Sequence, residues 1–293
     1  MNNVENISLI IPAYNEENGI IDVISEIELL MNENSIKHEI IIVDDGSTDK
    51  TVEKVGSTNA RLIQHQKNKG YGSALKTGIK ASMHDQVAII DADGTYPVKY
   101  LIELINNINN YDMVVGARTG KNVNIPLIRK PAKWALNKLA NFLTNYPIPD
   151  LNSGLRLFRK KSLVKFIHIL PDGFSFTTTI TIAMLTNNHN IKYIPIDYDK
   201  RIGKSKIRPI YDTLNFISLI TRMVIYFKPM RVLMPIGIIL LTIDFVKILY
   251  DIQVYNWHIA TSTILLGMVA FNTIILALVA DMITTIRNAA LQE

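Results

Sequence analysis

Asp91-Ala92-Asp93 closes the apolar run Val87-Ala88-Ile89-Ile90, at the place where a buried strand would reach solvent. Two carboxylates so placed suit Mg²⁺ or Mn²⁺, which take hard oxygen ligands: one or two carboxylates hold the ion while substrate phosphates complete its shell. That spacing is common by chance, so the argument rests on its neighbours. Tyr14, Asn15 and Glu16 follow the run Ile7–Ile11, and Asp44 and Asp45 close the run 39–43. Acids gathered at one edge repel unless cations or ribose hydroxyls compensate, which marks the edge as a binding site. For Asp45, Ser47 and Asp49 a turn leading into a helix cap is the competing reading.

The elements that must position these residues alternate. Strand-like runs at 7–11, 39–43, 61–65, 86–90 and 113–115 are separated by amphipathic stretches: one from about Glu17 to Met31, one opened by Ser47-Thr48-Asp49, one after Gly72 and one started by Pro97. That alternation predicts an α/β fold with a mostly parallel, Rossmann-like sheet and helices on both faces. In such sheets ligands lie beyond the carboxyl ends of the strands, where the acids above converge. Asp172 to Thr179 reads as a turn followed by a β-rich polar stretch, ahead of a helix at 180–185.

The last third has a different character. Val232–Tyr250 and Ile259–Ile283 are long apolar stretches joined by the polar link Asp251–His258, and each approaches the ~20 residues that cross a bilayer core. They read as a two-helix transmembrane hairpin, with a buried two-helix cap as the soluble alternative. Asp244 and Lys247 are expected to pair at i,i+3, and Asn272 and Asp281 to be met by helix–helix contact. Lys228 and Arg231 before the hairpin and Arg287 after it, with no Lys or Arg in the link, predict that both termini and the α/β domain are cytoplasmic. Residues 125–146 and 209–230 carry apolar faces with basic flanks, suited to a headgroup layer or to packing on the domain. The expected division is 1–208, a juxtamembrane helix 209–230 and a hairpin 231–293.

Composition narrows the chemistry. The chain has 293 residues, a net charge of +5 and no cysteine, which excludes disulfides and thiolate zinc sites. Its positive charge is concentrated: 118–149 contains no acidic residue, and 201–231 has only Asp212. Such charge fits nucleic acid, anionic lipid or phosphate-bearing ligands; of these, a nucleic-acid partner is not expected once the motifs below are read. A strand begins almost at once, so no secretory leader is expected. His38, His65, His84, His168, His189 and His258 have no metal-ligand or triad spacing and read as surface or hydrogen-bonded side chains.

Ile11-Pro12-Ala13-Tyr14-Asn15-Glu16, Val43-Asp44-Asp45-Gly46-Ser47-Thr48-Asp49, Asp91-Ala92-Asp93 and Gly116-Ala117-Arg118, in this order and spacing, resemble the family 2 glycosyltransferases of GT-A fold. Within that family they are most similar to the dolichyl-phosphate mannose and glucose synthase-like enzymes, polyprenyl-phosphate glycosyltransferases. The resemblance implies that Pro12, Tyr14, Glu16, Asp44 and Asp45, with Asp91, Ala92 and Asp93, bind a nucleotide sugar. It places Asp93, with Asp91, on the Mg²⁺ or Mn²⁺ that bridges the diphosphate. Arg118 and Arg129 match the family's acceptor-phosphate arginines, and with Asp91 and Asp93 form the expected catalytic set. Lys133 and the basic segment Arg201, Lys204, Ser205 and Lys206 are expected around the acceptor phosphate. Asp150 is a sugar-pocket candidate with Arg156 its expected partner.

The implied reaction is inverting transfer of one sugar to a polyprenyl (dolichyl or undecaprenyl) phosphate. The acceptor phosphate is ionised near neutral pH and needs no strong protein base. UDP-sugar is preferred over GDP-mannose, because Gly94-Thr95-Tyr96-Pro97 stands where mannose synthase-like enzymes often have Leu-Gln-His-Pro. A processive polysaccharide synthase lacks support, since no Gln-x-x-Arg-Trp occurs and the spans are few. A non-catalytic membrane scaffold keeping the fold is the alternative from another class, and self-association is left open.

Overall fold

The computed structural model describes residues 6–121, 134, 137, 138, 140–142, 144–173, 175–199 and 226–290. Arg129, Lys133, Arg201, Lys204, Ser205 and Lys206 lie outside the described residues, as do most of 125–146 and 209–225. The chain divides into two units, Met1–Phe216 and Ile217–Glu293.

The first unit is built on a seven-stranded sheet. Its strands are β1 (Asn6–Ala13), β2 (Lys37–Asp44), β3 (Arg61–Gln64), β4 (Gln86–Ile89), β5 (Met113–Ala117), β6 (Arg156–Arg159) and β7 (Ile191–Pro195), in the order β3-β2-β1-β4-β6-β5-β7. All pairings are parallel except those of β6, which runs antiparallel to both β4 and β5. The sheet is therefore mixed, and β6 and β7 are strands that the five sequence runs did not include. The insertion of β6 brings the turn before it, 150–155, alongside the end of β4.

Five helices follow the strands of this unit: α1 (Ile20–Glu33), α2 (Thr51–Val55), α3 (Tyr71–Ala81), α4 (Tyr100–Asn107) and α5 (Lys160–Val164), with α6 (Phe176–Thr186) ahead of β7. In α1 the spacing of Ile20, Val23, Ile24, Ile27 and Met31 makes one apolar stripe. That stripe packs with Leu101, Leu104 and Ile105 of α4 against Ile7, Leu9, Ile11, Ile40 and Ile42. The opposite face takes α3, where a Cβ on Gly78 would lie 2.4 Å from Ile10 Cγ2, so the helix backbone rests directly on the sheet.

Two helix boundaries differ from expectation for a local reason. Helix α2 starts at Thr51 and not at Ser47, because the Ser47 hydroxyl and the Thr48 amide bond to Asn15. The stretch 176–179, read as β-rich, is the start of α6. Its threonines fit a buried helix by donating to carbonyls one turn back, Thr179 to Ser175 O at 2.9 Å and Thr181 to Thr177 O at 2.8 Å.

The second unit is an antiparallel pair, α7 (Pro229–Val254) and α8 (Thr261–Ala290): α7 extends past its apolar stretch at both ends, while α8 starts just after the beginning of its stretch and runs on past its end. Most of its large apolar side chains point outward, among them Ile239, Phe245, Leu265, Phe271 and Ile283. Both helices are long and apolar enough to cross a membrane. The expected Asp244–Lys247 pair does not form: Lys247 Nζ donates to the hydroxyls of Ser262 and Thr263, both at 2.7 Å, across the hairpin. Asp244 lies buried against Gly267, whose lack of a side chain makes room for the carboxylate. Asn272 faces outward and not into the helix pair.

Candidate active site

Two groups of turns meet the carboxyl ends of β1, β2 and β4. In the first, the turns after β1 and β2 are stitched together by amides donating to side-chain oxygens. Asn15 N donates to Ser47 Oγ at 2.8 Å, Thr48 N to Asn15 Oδ1 at 2.8 Å, Glu16 N to Thr51 Oγ1 at 2.9 Å and Glu17 N to Asp49 Oδ2 at 3.2 Å. Asn15 adopts φ +54°, a left-handed conformation that asparagine tolerates. Pro12 is the buried penultimate residue of β1, aligned with Val43 of β2, while Tyr14 and Glu16 sit half-buried in the turn that follows.

The two acids that end β2 separate. Asp44 is buried, and both its oxygens accept from Ser47 N, at 3.2 and 3.4 Å. Asp45 accepts from His65 Nδ1 at 2.7 Å, Lys69 N at 2.9 Å and Gly70 N at 2.8 Å. Its carboxylate therefore holds the chain between β3 and α3. Gly70, at φ +103° and with Asp172 O 2.5 Å from where a Cβ would stand, is a position only glycine fits. An open groove runs between the Asp44–Thr48 turn and Gln64, His65 and Gln66.

The second group surrounds the end of β4. Asp91 Oδ1 accepts from the Tyr71 hydroxyl at 2.9 Å, and the carboxylate lies flat on Gly154, where a Cβ would come within 2.4 Å of Oδ2. Burial, reinforced by the Asp91 charge, holds the Tyr71 phenol well above its ordinary range, so it stays a donor. Ala92 is buried, with its carbonyl against Gly19 at the start of α1. Asp93 is buried, and its Oδ1 accepts from Thr95 N at 3.2 Å and Thr95 Oγ1 at 2.6 Å.

Arg118 and Asp150 form the ionic part of this group. The guanidinium grips the carboxylate through Nε at 2.7 Å and Nη2 at 2.9 Å, and the Arg118 amide adds a third bond at 3.0 Å. Burial works against the Arg118 charge, but Tyr96, Asp150 and Tyr198 outweigh it and raise its pKa. The same guanidinium lies over the Tyr198 ring, 5.2 Å from its centroid, and Tyr198 meets Tyr96 edge-on at 5.1 Å. Tyr96 Oη accepts from Gly154 N at 2.6 Å, so Arg118 and Asp91 are linked through two rings and one glycine.

Arg156 is not the partner of Asp150 that the sequence suggested. It is fully buried within the sheet and donates to Ser153 O at 2.8 Å, Leu151 O at 2.8 Å and Thr181 Oγ1 at 2.6 Å. Burial lowers its pKa. Its work is to shape the 150–153 turn that presents Asp150 to Arg118. The first unit thus brings together Asp44, Asp91, Asp93, Arg118 and Asp150 at one sheet edge, and puts Asp45 and Arg156 behind it.

Tyr71, Tyr96, Gly154, Tyr198 and His65 take part in the contacts that hold these groups, and none of them was expected at the site from the sequence. The alternation of Gly154-Leu155-Arg156-Leu157-Phe158 was the available sign of a strand after a tight turn. Among the described residues no three His, Cys, Asp or Glu side chains gather as a metal cage. Two carboxylates alone, such as Asp91 and Asp93, would suit only an ion that takes its remaining ligands from phosphates and water.

The chain is similar to known proteins in sequence and in fold. A dolichyl-phosphate hexose transferase of Haloferax volcanii is 31% identical over 207 residues, covering 70% of this chain and 88% of its own length. A dolichol-phosphate mannosyltransferase of Pyrococcus furiosus is 30% identical, covering 72% of this chain and 62% of its own. Among solved structures, glucosyl-3-phosphoglycerate synthase from Mycobacterium tuberculosis with Mn²⁺, UDP-glucose and phosphoglyceric acid superposes with a TM-score of 0.60 at 20% identity, covering 75% of this chain and 79% of that one. At that identity the likeness is one of fold, the GT-A arrangement. Residues 228–286 match the GtrB C-terminal hairpin. Residues 8–166, more than half of the chain, match Glycosyl transferase family 2, and the chain is a glycosyltransferase of that family.

Proposed function

We propose that this chain transfers one sugar from a nucleotide sugar, preferably a UDP-sugar, to a polyprenyl phosphate at the cytoplasmic face of a membrane, with inversion at the anomeric carbon. The observation that carries the reading is the union, in one chain, of a glycosyltransferase edge bearing Asp44, Asp91, Asp93 and Arg118 with two long helices whose apolar side chains face outward. A soluble sugar acceptor needs no such hairpin. The relatives named for dolichyl-phosphate transfer support the acceptor class, and the UDP-glucose and Mn²⁺ of the solved neighbour support the donor and the metal.

In this reading Pro12, Tyr14, Glu16 and Asp44 bind base and ribose, Asp91 orients the ribose and sugar, and Asp93 with Asp91 holds Mg²⁺ or Mn²⁺. A bound divalent ion neutralises charge on the departing diphosphate. Arg118, fixed by Asp150, presents a rigid guanidinium to the acceptor phosphate, joined by Arg129, Lys133, Arg201, Lys204, Ser205 and Lys206. An acceptor phosphate oxygen attacks the anomeric carbon as its bond to the nucleoside diphosphate breaks. Tyr71 keeps Asp91 oriented, and the buried tyrosines limit water at the reacting carbon.

The hairpin supports the orientation. Arg287, near the end of α8, lies over the ring of Tyr226 just ahead of α7, 4.1 Å from its centroid, so both basic ends fall on one side. Exposed Trp134, with Lys138 Nζ 4.8 Å from its ring centroid, is the kind of pair that sits at headgroup level.

The test is a panel of radiolabelled UDP-glucose, UDP-N-acetylglucosamine and GDP-mannose with short and long polyprenyl phosphates. Transfer with at least one pair, abolished by EDTA and by Asp93→Ala, is expected. Wild-type activity in Asp93→Ala would remove the metal assignment, and no turnover of any pair would favour a scaffold.

A further inference from the structure

We propose that His65 is a positioning residue for the donor nucleotide, acting through Asp45 to set the width of the groove beside Asp44; this rests on the reading above that the edge binds a nucleotide. His65 ends the strand run of β3 and is buried, yet both ring nitrogens are bonded. Nδ1 meets Asp45 Oδ1 at 2.7 Å, and Nε2 meets Thr77 Oγ1 of α3 at 2.9 Å. An ionised carboxylate only accepts, so the ring carries its hydrogen on Nδ1 and Thr77 donates to Nε2 in the neutral tautomer.

The Asp45 carboxylate also takes the amides of Lys69 and Gly70, and His65 N donates to Asp44 O at 2.9 Å. One imidazole therefore ties together the end of β2, the end of β3, the segment before α3 and α3 itself. The groove is what these pieces enclose: Asp44, Ser47 and Thr48 on one wall, Gln64 and Gln66 on the other. Below it, the Gly46 turn packs on the backbone of Lys67 and Asn68, where a Cβ would stand 2.9 Å away. With that floor in contact, the Asp45–His65 bond leaves the walls no freedom to part. A carboxylate and two amide side chains lining one open polar groove suit the N–H and carbonyl edge of a nucleobase. His65 itself borders the groove, but both its ring nitrogens are taken up by Asp45 and Thr77, so its effect on the ligand passes through Asp45.

Full-length wild type, His65→Leu, His65→Asn and Thr77→Val in detergent separate this role from plain packing. Binding of UDP and of GDP in Mn²⁺ is read by calorimetry, KM and kcat by transfer, and the Lys69 and Gly70 amides by hydrogen exchange. For His65→Leu we expect donor KM and nucleotide Kd to rise about tenfold, equal to about 1.4 kcal/mol, with acceptor KM and kcat little changed and faster exchange at Lys69 and Gly70. His65→Asn, whose amide nitrogen can take the place of Nδ1, should recover most of the loss. Thr77→Val leaves the ring and its packing in place and should give a smaller rise, which keeps the idea testable if His65→Leu does not fold. Unchanged nucleotide affinity with unchanged exchange in His65→Leu overturns the proposal. Equal loss of kcat, acceptor KM and melting temperature in both His65 variants overturns it as well, in favour of a merely structural histidine. If wild type binds neither nucleotide, the site reading fails instead, and exchange at Lys69 and Gly70 still judges the clamp.

Discussion

The turns after β1 and β2 and the turns after β4 and before β6 are built in opposite ways. The first pair is held by backbone amides donating to Asn15, Ser47, Asp49 and Thr51, residues in two short stretches of which all but the buried Thr51 are partly open to solvent. The second is held by groups taken out of water: Arg156 inside the sheet, Asp150 fully buried under Arg118, Tyr71 on Asp91 and Tyr96 on Gly154. A buried charge costs free energy unless each of its bonds is made, so such a network tolerates one arrangement only. The β1–β2 turns lose one hydrogen bond at a time. The contrast sets turns between β1 and β2 that can adjust one bond at a time, beside the Asp45–His65 clamp, against a rigid network around Arg118 and Asp150.

Arg156→Met should cut deepest, because it strands the carbonyls of Leu151 and Ser153 and the Thr181 hydroxyl inside the sheet. A loss of about 3 kcal/mol or more is expected, read as a lower denaturant midpoint, together with loss of transfer as the 150–153 turn relaxes. A near-neutral result would mean that the rigid region is held by packing alone. Gly154→Ala comes next: the added methyl must displace the Asp91 carboxylate, and a shift of about 1 Å lowers turnover roughly a hundredfold while the fold survives. Near-normal kcat in that variant would show that Asp91 does not need its present place.

On the adjustable side, Ser47→Ala removes the acceptor of Asn15 N and should cost about 1 kcal/mol, seen as a rise of a few-fold in donor KM with kcat kept. An effect as large as that of Gly154→Ala would erase the contrast between the regions. The smallest effect concerns acid. Burial acts to raise the Asp49 pKa, but the Thr51 hydroxyl and the Thr51 and Glu17 amides outweigh it and leave it below the ordinary 3.8. A depressed carboxyl stabilises the fold above its unfolded pKa, and that contribution is lost as pH falls below 3.8 through the folded value. The melting difference between wild type and Asp49→Asn should therefore be present at about pH 6 and shrink toward about pH 3.

The readable part of this site was the part made of local signals. Apolar runs ending in Asp44, Asp91 and Arg118 located the carboxyl edge, because a parallel sheet puts every strand end of that kind on one side. Long apolar stretches located the hairpin for an equally simple reason, since length and composition decide whether a helix suits lipid. What escaped was pairing. The distance from Asp150 to Arg156 in sequence suggested an ion pair that the sheet forbids: Arg156 lies in β6 and turns inward, while Asp150, in the turn before it, meets Arg118 from β5's end. The i,i+3 spacing of Asp244 and Lys247 misled in the same way, because hydroxyls on the facing helix were better placed.

By itself, then, the order of apolar runs and strand-end acids determined an α/β sheet, its ligand edge and two apolar helices, which follow from periodicity and from which residues must avoid water; the family came from the likeness of four motifs. Only the tertiary structure decided that Asp45 turns to His65 while Asp44 lines the groove, that an antiparallel β6 enters the sheet, and that His65, Tyr71 and Gly154 meet carboxylates far from them in sequence. Those choices depend on contacts between segments tens of residues apart, where a single hydrogen bond of a few ångströms selects among partners that look equivalent along the chain.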